Sequence, residues 1–410
     1  MKSSYIDKHG SIILIYLSWF VYTSSYLGRY SYNANINAII LDYHVSHASA
    51  GLVATFFFFS YGIGQVINGI LCCHYPKRYI IPLALIVSAG MNLLLFRGVL
   101  FENIKFLWLI NGIALSFLWT SLIQTLGEHI EKEHLQKSVV VMSTTVAFGN
   151  FLAYGTAGAF SKMGFYQLSF PVSAAVMLTA AVLWFIFFPL IEKRAVISQG
   201  CGKIPIAVSS DNYKIGSDLL SMIVILCVFA IADNLIKDGI HTWMPVVLSN
   251  EFGFLNSDSI FLTMALNLCA VLGTYAAVKV QKRIGDLVIL STTLYAVIAL
   301  LLAVFLLMHG KSFAAVFLSF GLVIVLTHAI NDVLTSMVPL YLRDRMSTGL
   351  LSGVLNGCCY VGSTFSSYGL GEIADLHGWN SAFVLLLAIA AGMVLVGIIY
   401  GKVRKIKRIA

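Results

Sequence analysis

The run Ser381–Tyr400, SAFVLLLAIAAGMVLVGIIY, decides the fold of this chain, because it holds twenty residues without one charged side chain. An α-helix rises about 1.5 Å per residue, so a run of this length crosses the roughly 30 Å hydrocarbon layer of a bilayer. The run therefore predicts a transmembrane helix.

Eleven similar apolar runs precede it, separated by short polar breaks. In chain order the twelve runs are Ser11–Asn37, Ala50–Leu71, Tyr79–Phe96, Phe106–Leu126, Ser138–Phe160, Phe165–Leu190, Asp218–Leu248, Ile260–Val278, Leu287–Met308, Phe313–Leu342, Ser347–Leu370 and Ser381–Tyr400. The first run is interpreted as a retained helix, since Thr23-Ser24-Ser25 is a poor signal-peptide cleavage site. The pattern predicts an all-α membrane protein with twelve transmembrane helices.

Composition supports this fold class and excludes others. Of 410 residues, 59% are hydrophobic and 11% charged, against about 45–50% and about 25% in soluble proteins. Mean hydropathy is +0.88, which excludes a soluble enzyme and a disordered chain. The seven cysteines show no CxxC spacing, and no nucleotide-binding or catalytic motif is present. We therefore expect no enzyme activity, no cofactor and no metal site.

The lysine and arginine residues predict the orientation of the chain. With both termini inside, the inner segments hold 20 of these residues and the outer segments hold 4. By the positive-inside rule, this bias predicts cytoplasmic termini and an even number of spans. The formal charge of +8 is then a topology signal with some attraction to anionic lipid, and no nucleic-acid partner is needed to explain it.

A polar stretch divides the twelve runs into six and six. We predict an N-terminal half at residues 1–191, a cytoplasmic linker at 192–217 and a C-terminal half at 218–410. The only two basic residues inside the runs are Arg29, late in the first, and Lys237, late in the seventh.

The two buried cations occupy matching places in the halves. They are 208 residues apart (237 − 29), and the same offset carries Ser11 to Leu219, near the starts of their runs. Equal offsets indicate a repeat, and transporters built from repeats bind substrate at the repeat interface near the membrane midplane. A charge inside the membrane costs at least ~2.5–3.5 kcal/mol. We therefore predict that both cations bind an anionic substrate.

The neighbours of the two cations add candidate ligands and one alternative. Around Arg29 stand polar side chains suited to an oxyanion: Tyr26, Tyr30, Tyr32 and Asn33. Near Lys237 stand Asp233 and Asp238, so an ion pair is the alternative role of this lysine. Asp233 shares its helix face by i−4 spacing, whereas the adjacent Asp238 points about 100° away.

A third acid, Asp332, lies in the tenth run. It follows Asn331 and precedes Pro339, which breaks the helical pattern. It is interpreted either as lining of a polar cavity or as a helix-packing hydrogen-bond partner. With Asp233 and Asp238 it forms the candidate set for coupling or charge pairing.

Several motifs agree in order and spacing with one transporter family. They are Tyr26-Leu27-Gly28-Arg29 (family Y-L-x-R), Asn111-Gly112 followed by Trp119, Lys237-Asp238-Gly239-Ile240-His241-Thr242-Trp243-Met244-Pro245 (family R-x-G-x-x-D-W-x-P), and Gly349, Gly353, Tyr360 and Gly362 followed by Gly378-Trp379 and Phe383. On these residues the chain resembles the organophosphate:phosphate antiporters of the major facilitator superfamily, which include the glycerol-3-phosphate and hexose-6-phosphate carriers.

The resemblance implies a major facilitator fold of two six-helix halves that alternate access by rocking. It implies that Arg29 and Lys237 grip the substrate phosphate, and it adds Trp119 and Tyr360 to the substrate-binding residues. The chain departs from the family pattern where Lys237 replaces an arginine and Thr242 an aspartate. Lysine is a point charge and arginine a planar fork, so the first exchange is not conservative.

The sequence therefore predicts a secondary transporter of a small phosphorylated organic anion, exchanged for inorganic phosphate. The alternatives are a proton-coupled carrier of another organic anion, which the three aspartates favour, and a transporter-like sugar-phosphate receptor. We expect a monomer in the lipid bilayer. The family and the short loops indicate a bacterial cytoplasmic (inner) membrane.

Overall fold

The computed structural model describes residues 4–6, 8–71, 74–130, 138, 141–142, 144–192, 195–197, 217–281, 284–309, 311–342, 346 and 348–409. Most of the predicted linker, residues 193–194 and 198–216, lies outside this part of the chain. So do eleven of the basic residues that predict the orientation: Lys2, Lys132, Lys137, Lys193, Arg194, Lys203, Lys214, Lys282, Arg283, Arg343 and Arg345.

The described residues form thirteen α-helices. They are α1 Lys8–Ala34, α2 Ile36–Tyr43, α3 His47–Leu71, α4 Lys77–Phe96, α5 Phe101–His129, α6 Thr145–Lys162, α7 Ser169–Glu192, α8 Ser217–Phe252, α9 Asn256–Gln281, α10 Leu287–Met308, α11 Phe313–Asp332, α12 Val338–Tyr341 and α13 Thr348–Ile409. Two three-residue strands, β1 Ser4–Ile6 and β2 Ala195–Ile197, pair antiparallel.

The helices confirm the prediction of an all-α fold with twelve spans. Among the described residues, nine helical segments are long and apolar enough to cross a membrane. The longest, Leu351–Val403, covers most of the eleventh predicted run and all of the twelfth, and Gly378 interrupts α13 between them with φ 78° and ψ 166°. The other two predicted runs correspond to α6 and α9.

Burial follows the pattern of a protein in lipid rather than in water. Large apolar side chains such as Leu300 and Phe365 are exposed to 64% and 66%. Polar side chains are buried instead, among them Asn92, Asn111 and Asp233, each below 1% exposure. Because lipid cannot hydrogen-bond polar groups, such side chains belong in the interior of a membrane protein.

The chain divides into two compact units. The first comprises Met1–Ala38 and Phe56–Ser210, and the second comprises Ile39–Thr55 and Asp211–Ala410. The second unit therefore includes residues 39–55, which comprise most of the connection between the first two spans and the start of α3.

Two helix breaks have local causes. Between α1 and α2, the Asn35 backbone N–H bonds to Tyr32 O (3.1 Å), and its side-chain Nδ2 donates to Ser31 O (2.8 Å). After α11, Val333–Met337 forms a π-helical turn in which Val338 N–H bonds to Val333 O. Pro339 has no N–H to bond Thr335 O in the α-helical pattern, which explains the shift.

Candidate functional site

In the first unit, an aromatic cage encloses the guanidinium group of Arg29. The residue is only 8% exposed. Five ring centroids lie between 4.9 and 5.7 Å from its Cζ atom: those of Tyr26, Tyr30, Phe57, Phe58 and Tyr61. Cation–π contacts of this kind contribute about 0.5–2 kcal/mol each, and arginine stays charged in proteins. The cage therefore stabilises a cation inside the membrane.

Two asparagines fix the stretch of α1 that carries Arg29. The Nδ2 groups of Asn92 on α4 and Asn111 on α5 both donate to Gly28 O, at 3.2 and 3.1 Å. A Cβ at Gly28 would overlap the side chain of Met177 on α7. Residues of α4, α5 and α7 thus fix the backbone directly before Arg29.

The Asn111-Gly112 motif acts through packing. A Cβ at Gly112 would overlap Ser60 Oγ and come within 2.6 Å of Phe57 O on α3. Gly112 thus permits close contact between α5 and the helix that supplies Phe57, Phe58 and Tyr61 to the cage.

Among the predicted substrate-binding residues of this unit, Tyr26 and Tyr30 belong to the cage and Trp119 lies beside it. The rings of Tyr26 and Tyr30 stack at 5.8 Å with 9° between their planes. Trp119 lies 4.8 Å from the Tyr22 ring, which meets Tyr26 edge-on at 5.4 Å. Trp119 therefore contacts the cage through Tyr22.

Tyr32 and Asn33 are buried but do not contribute to the five-ring cage. The Tyr32 ring packs beside Trp108 at 5.3 Å. Asn33 is 4% exposed.

In the second unit, Lys237 lies within a polar cluster. Its Nζ donates to Asn234 Oδ1 (2.6 Å) and lies 4.0 Å from Asp238 Oδ1. Helical spacing favours Asp233 as the partner of Lys237, but in the structure these two contacts go to Asn234 and Asp238. The flexible lysine stem explains this, because it reaches the i−3 amide and bends toward the adjacent carboxylate.

The three acids of the cluster differ in their hydrogen bonds. Asp238 accepts a hydrogen bond from the Ser363 hydroxyl on α13. Asp233 is completely buried, and neither of its carboxylate oxygens accepts a hydrogen bond from the described residues. Lys237, Asp238 and Asp332 act on it electrostatically. Asp332 ends α11, directly before the π-helical turn.

The structure adds His328 on α11, which the sequence analysis missed. Its Nε2 lies 3.4 Å from Nε2 of His241. Among titratable groups, Lys237 and His241 act on His328 electrostatically. The i, i+4 spacing of His328 and Asp332 is the sequence signal that could have found it.

Tyr360 lies on α13 next to Cys359, whose thiol accepts from Asn331 Nδ2 at 3.6 Å. The Tyr360 carbonyl accepts from Thr364 Oγ1 (2.7 Å).

Gly239 and Trp243, which follow Lys237, pack against α13. A Cβ at Gly239 would overlap Leu370. Trp243 Nε1 donates to Ser367 O (3.1 Å), and its ring lies 5.3 Å from that of Trp379. These residues fix α8 against α13, so their role is to position the helix that carries Lys237.

Each unit thus places one cation among polar or aromatic side chains, Arg29 buried and Lys237 partly buried. Both cations are of the kind that binds phosphate or carboxylate oxygens. Among the described residues, no group of three or more His, Cys, Asp and Glu side chains is arranged to hold a metal ion.

A sequence comparison decides the family. The profile of the Major Facilitator Superfamily matches residues 18–367. The chain belongs to this superfamily. Its members are transporters rather than enzymes, so the chain is an integral membrane transporter.

Similar curated proteins include sugar-phosphate transporters. "Sugar phosphate exchanger 3" of Xenopus laevis is 24% identical over 303 residues, which are 62% of this chain and 57% of the exchanger. A "Probable hexose phosphate transport protein" of Chlamydia pneumoniae is 20% identical over 421 residues, 94% of this chain and 90% of that protein. The "Membrane sensor protein UhpC" of Escherichia coli (strain K12) is 29% identical over 94 residues, 23% of this chain and 21% of the sensor.

A solved structure shows the same fold. A bacterial homolog of the human lysosomal transporter Spinster, in an inward-facing and unoccupied conformation, has a TM-score of 0.77 and 14% identity. The match covers 97% of this chain and 98% of that one.

The distant relationship of the chain to the sugar-phosphate transporters named above confirms the resemblance drawn from the motifs.

Proposed function

We propose that the chain transports a small phosphorylated organic anion in exchange for inorganic phosphate, by alternating access between its two halves. The observation that carries this proposal is the caged guanidinium of Arg29, which keeps a full positive charge inside the membrane. Lys237 supplies the second cation at the repeat offset. The named sugar-phosphate relatives support the substrate class.

In this mechanism, Arg29 and Lys237 bind the phosphate group together. Tyr26, Tyr30 and Tyr360 offer hydroxyls, and Trp119 supports the aromatic residues around Arg29. Substrate neutralises the two cations, which lowers the cost of enclosing them as the halves rock. We further propose that the protein acts as a monomer in a bacterial inner membrane, with cytoplasmic termini.

Counterflow in proteoliposomes tests this function. Vesicles preloaded with unlabelled inorganic phosphate are placed in labelled phosphate, and labelled uptake above that of empty vesicles is expected. Hexose 6-phosphate should compete with the label, and free hexose should not. Arg29→Ala should abolish uptake, whereas Arg97→Ala, at an exposed arginine on the C-terminal end of α4, is the matched control. No uptake by any vesicle would contradict the proposal.

A second candidate is a proton-coupled carrier of an organic carboxylate, favoured by the three acids around Lys237. Competition of carboxylates with labelled phosphate, together with uptake driven by a pH gradient, would support this proton-coupled carrier.

A third candidate is a receptor, which the match to a membrane sensor favours. Binding of hexose 6-phosphate without any counterflow would select the receptor.

A further inference from the structure

The cluster around Lys237 holds more acids than an anion site needs. Asp233, Asp238 and Asp332 lie in one region with a single lysine. Several helices contribute titratable groups that interact with Asp233. These are Lys237 and Asp238 on α8, Tyr295 on α10, Asp332 on α11 and Cys359 on α13. His241 on α8 and His328 on α11 interact electrostatically with Lys237, and the α9 residue near His241 is the amide Asn267.

Asp233 differs from Asp238 in receiving no hydrogen bond from the described residues. Asp238 receives the Ser363 hydroxyl and lies 4.0 Å from the Lys237 ammonium. Asp233 is 0% exposed, and no described residue donates a hydrogen bond to either oxygen. A buried carboxyl group without donors, with two further carboxyl groups nearby, favours the neutral acid, because ionisation would leave a buried charge without a hydrogen bond.

The position of Lys237 agrees with a neutral Asp233. Asp233 lies four residues before Lys237, within reach of its flexible stem on the same helix face. The ammonium nevertheless donates to Asn234 Oδ1 at 2.6 Å. An ionised Asp233 would attract this ammonium strongly, so the observed arrangement is the one expected after proton binding.

From this geometry we propose that Asp233 is a proton-binding site, and that its protonation frees Lys237 to bind the transported anion. The inference rests on the proposed function. When Asp233 is ionised, it competes with the anion for the single ammonium. When one proton binds an Asp233 oxygen, the lysine charge becomes available, so an anion and a proton bind cooperatively. Linkage requires the reciprocal effect, in which the anion strengthens proton binding.

Each anion, whether organic phosphate or inorganic phosphate, then crosses together with one proton taken from the side of entry. On the side of exit the proton leaves Asp233 for water, and the ionised carboxylate then attracts the Lys237 ammonium and displaces the anion. The step breaks and forms only O–H bonds, and no other reactant is needed.

Two measurements on the full-length protein test this proposal. Infrared spectroscopy should show the carbonyl stretch of a protonated carboxylic acid at neutral pH. The band should be lost in Asp233→Asn and kept in Asp258→Asn, at an exposed aspartate of α9. A wild-type spectrum whose band is unchanged by Asp233→Asn would overturn the assignment. Asn resembles the neutral acid in shape, so the variant should fold, and its melting temperature checks this.

Calorimetry with inorganic phosphate tests the coupling. At a pH high enough to remove the infrared band from the anion-free wild type, titrations in buffers of different ionisation enthalpy should show up to about one more proton bound per phosphate by the wild type than by Asp233→Asn. Wild-type affinity should weaken by up to about tenfold per pH unit above the titration point of the site, and the variant should lose this part of the dependence. Equal proton uptake by both proteins would overturn the coupling.

The two failures remain distinguishable. If the wild type binds no phosphate, the proposed anion is wrong, and the coupling proposal falls with it. The infrared band reports the proton on Asp233 separately.

Discussion

Asp375 caps the N-terminus of α3 and holds the ring of its first residue, His47. The Asp375 carboxylate accepts from the backbone N–H of His47 (3.1 Å) and of Ala48 (2.7 Å), and lies 2.6 Å from His47 Nδ1. The His47 ring meets Trp243 and Trp379 edge-on at 5.8 and 5.4 Å. Helix N-termini present unpaired N–H groups that favour a carboxylate. One side chain of α13 thereby fixes the start of α3 within the second unit.

We predict that Asp375→Ala loosens the start of α3 from this unit. Loss of a helix cap typically costs about 1–2 kcal/mol, which corresponds to an opening equilibrium roughly 5- to 30-fold larger. Hydrogen exchange of the amides at residues 47–55 should accelerate by this factor. Asp258→Ala, at an exposed acid in the first turn of α9, is the control. Unchanged exchange in the Asp375 variant would show that the cap does not hold α3.

A second prediction concerns the support of Arg29. Gly28→Ala should lower the melting temperature, because the new methyl group overlaps the Met177 side chain and overpacking costs about 1–3 kcal/mol. The obstacle is the end of a flexible side chain, so adding Met177→Ala should restore part of the loss. The control is Gly90→Ala on α4, where a Cβ meets nothing within 4 Å. A double variant no more stable than Gly28→Ala would contradict the proposed overlap.

The third prediction concerns Gly362, where the destabilisation caused by an added methyl group cannot be relieved by shortening a neighbouring side chain. A Cβ at Gly362 would overlap the backbone O of Ile231 on α8, two residues before Asp233. Because the backbone cannot move aside as a side chain can, Gly362→Ala should lower the melting temperature more than Gly28→Ala does. Gly353→Ala, on the same helix with open space, should behave like the parent. Thermal unfolding monitored by tryptophan fluorescence compares the three variants.

The sequence could predict the features that depend on local pattern. Twelve membrane spans follow from runs long enough to cross a bilayer, and Arg29 and Lys237 stand out because charges are costly in such runs. The cage could not be foreseen, because Phe57, Phe58 and Tyr61 are three among 27 Phe and 19 Tyr residues. Their contact with Arg29 depends on how α3 packs against α1, which no local pattern specifies.

The partner of Lys237 shows the same limit. Spacing favours Asp233, because i−4 residues share a helix face. The contact of Lys237 with Asn234 depends instead on the rotamer of the lysine side chain and on which of the two nearby carboxylates, Asp233 or Asp238, receives a hydrogen bond from another residue. Ser363, which provides such a donor to Asp238, comes from α13 and is 125 residues away in sequence.

A fourth prediction follows from the charge bias of 20 to 4. A reporter active only in the cytoplasm, fused after Ala410, should be active, and a periplasmic reporter at the same place should not. Fusion of both reporters after Arg97, in an outer segment, gives the opposite expectation. An active periplasmic reporter after Ala410 would contradict the orientation.

The last prediction concerns Lys237, where the chain departs from the family arginine. Lys237→Arg should retain part of the transport, because the charge stays and a guanidinium also binds phosphate. It should not retain all of it, because the planar fork cannot reproduce the point contacts to Asn234 and Asp238. Lys237→Ala should reduce uptake at least tenfold, since it removes one cation and leaves the Asp238 carboxylate without its ammonium. Lys311→Ala, at an exposed lysine between α10 and α11, controls for loss of a charge elsewhere. Uptake of labelled phosphate is measured for all variants at matched expression.

Because the alanine variant also disturbs Asp238, the double variant Lys237→Ala/Asp238→Asn separates the two effects. If the double variant transports like the parent, Lys237 serves only to balance Asp238, and the two-cation mechanism is wrong.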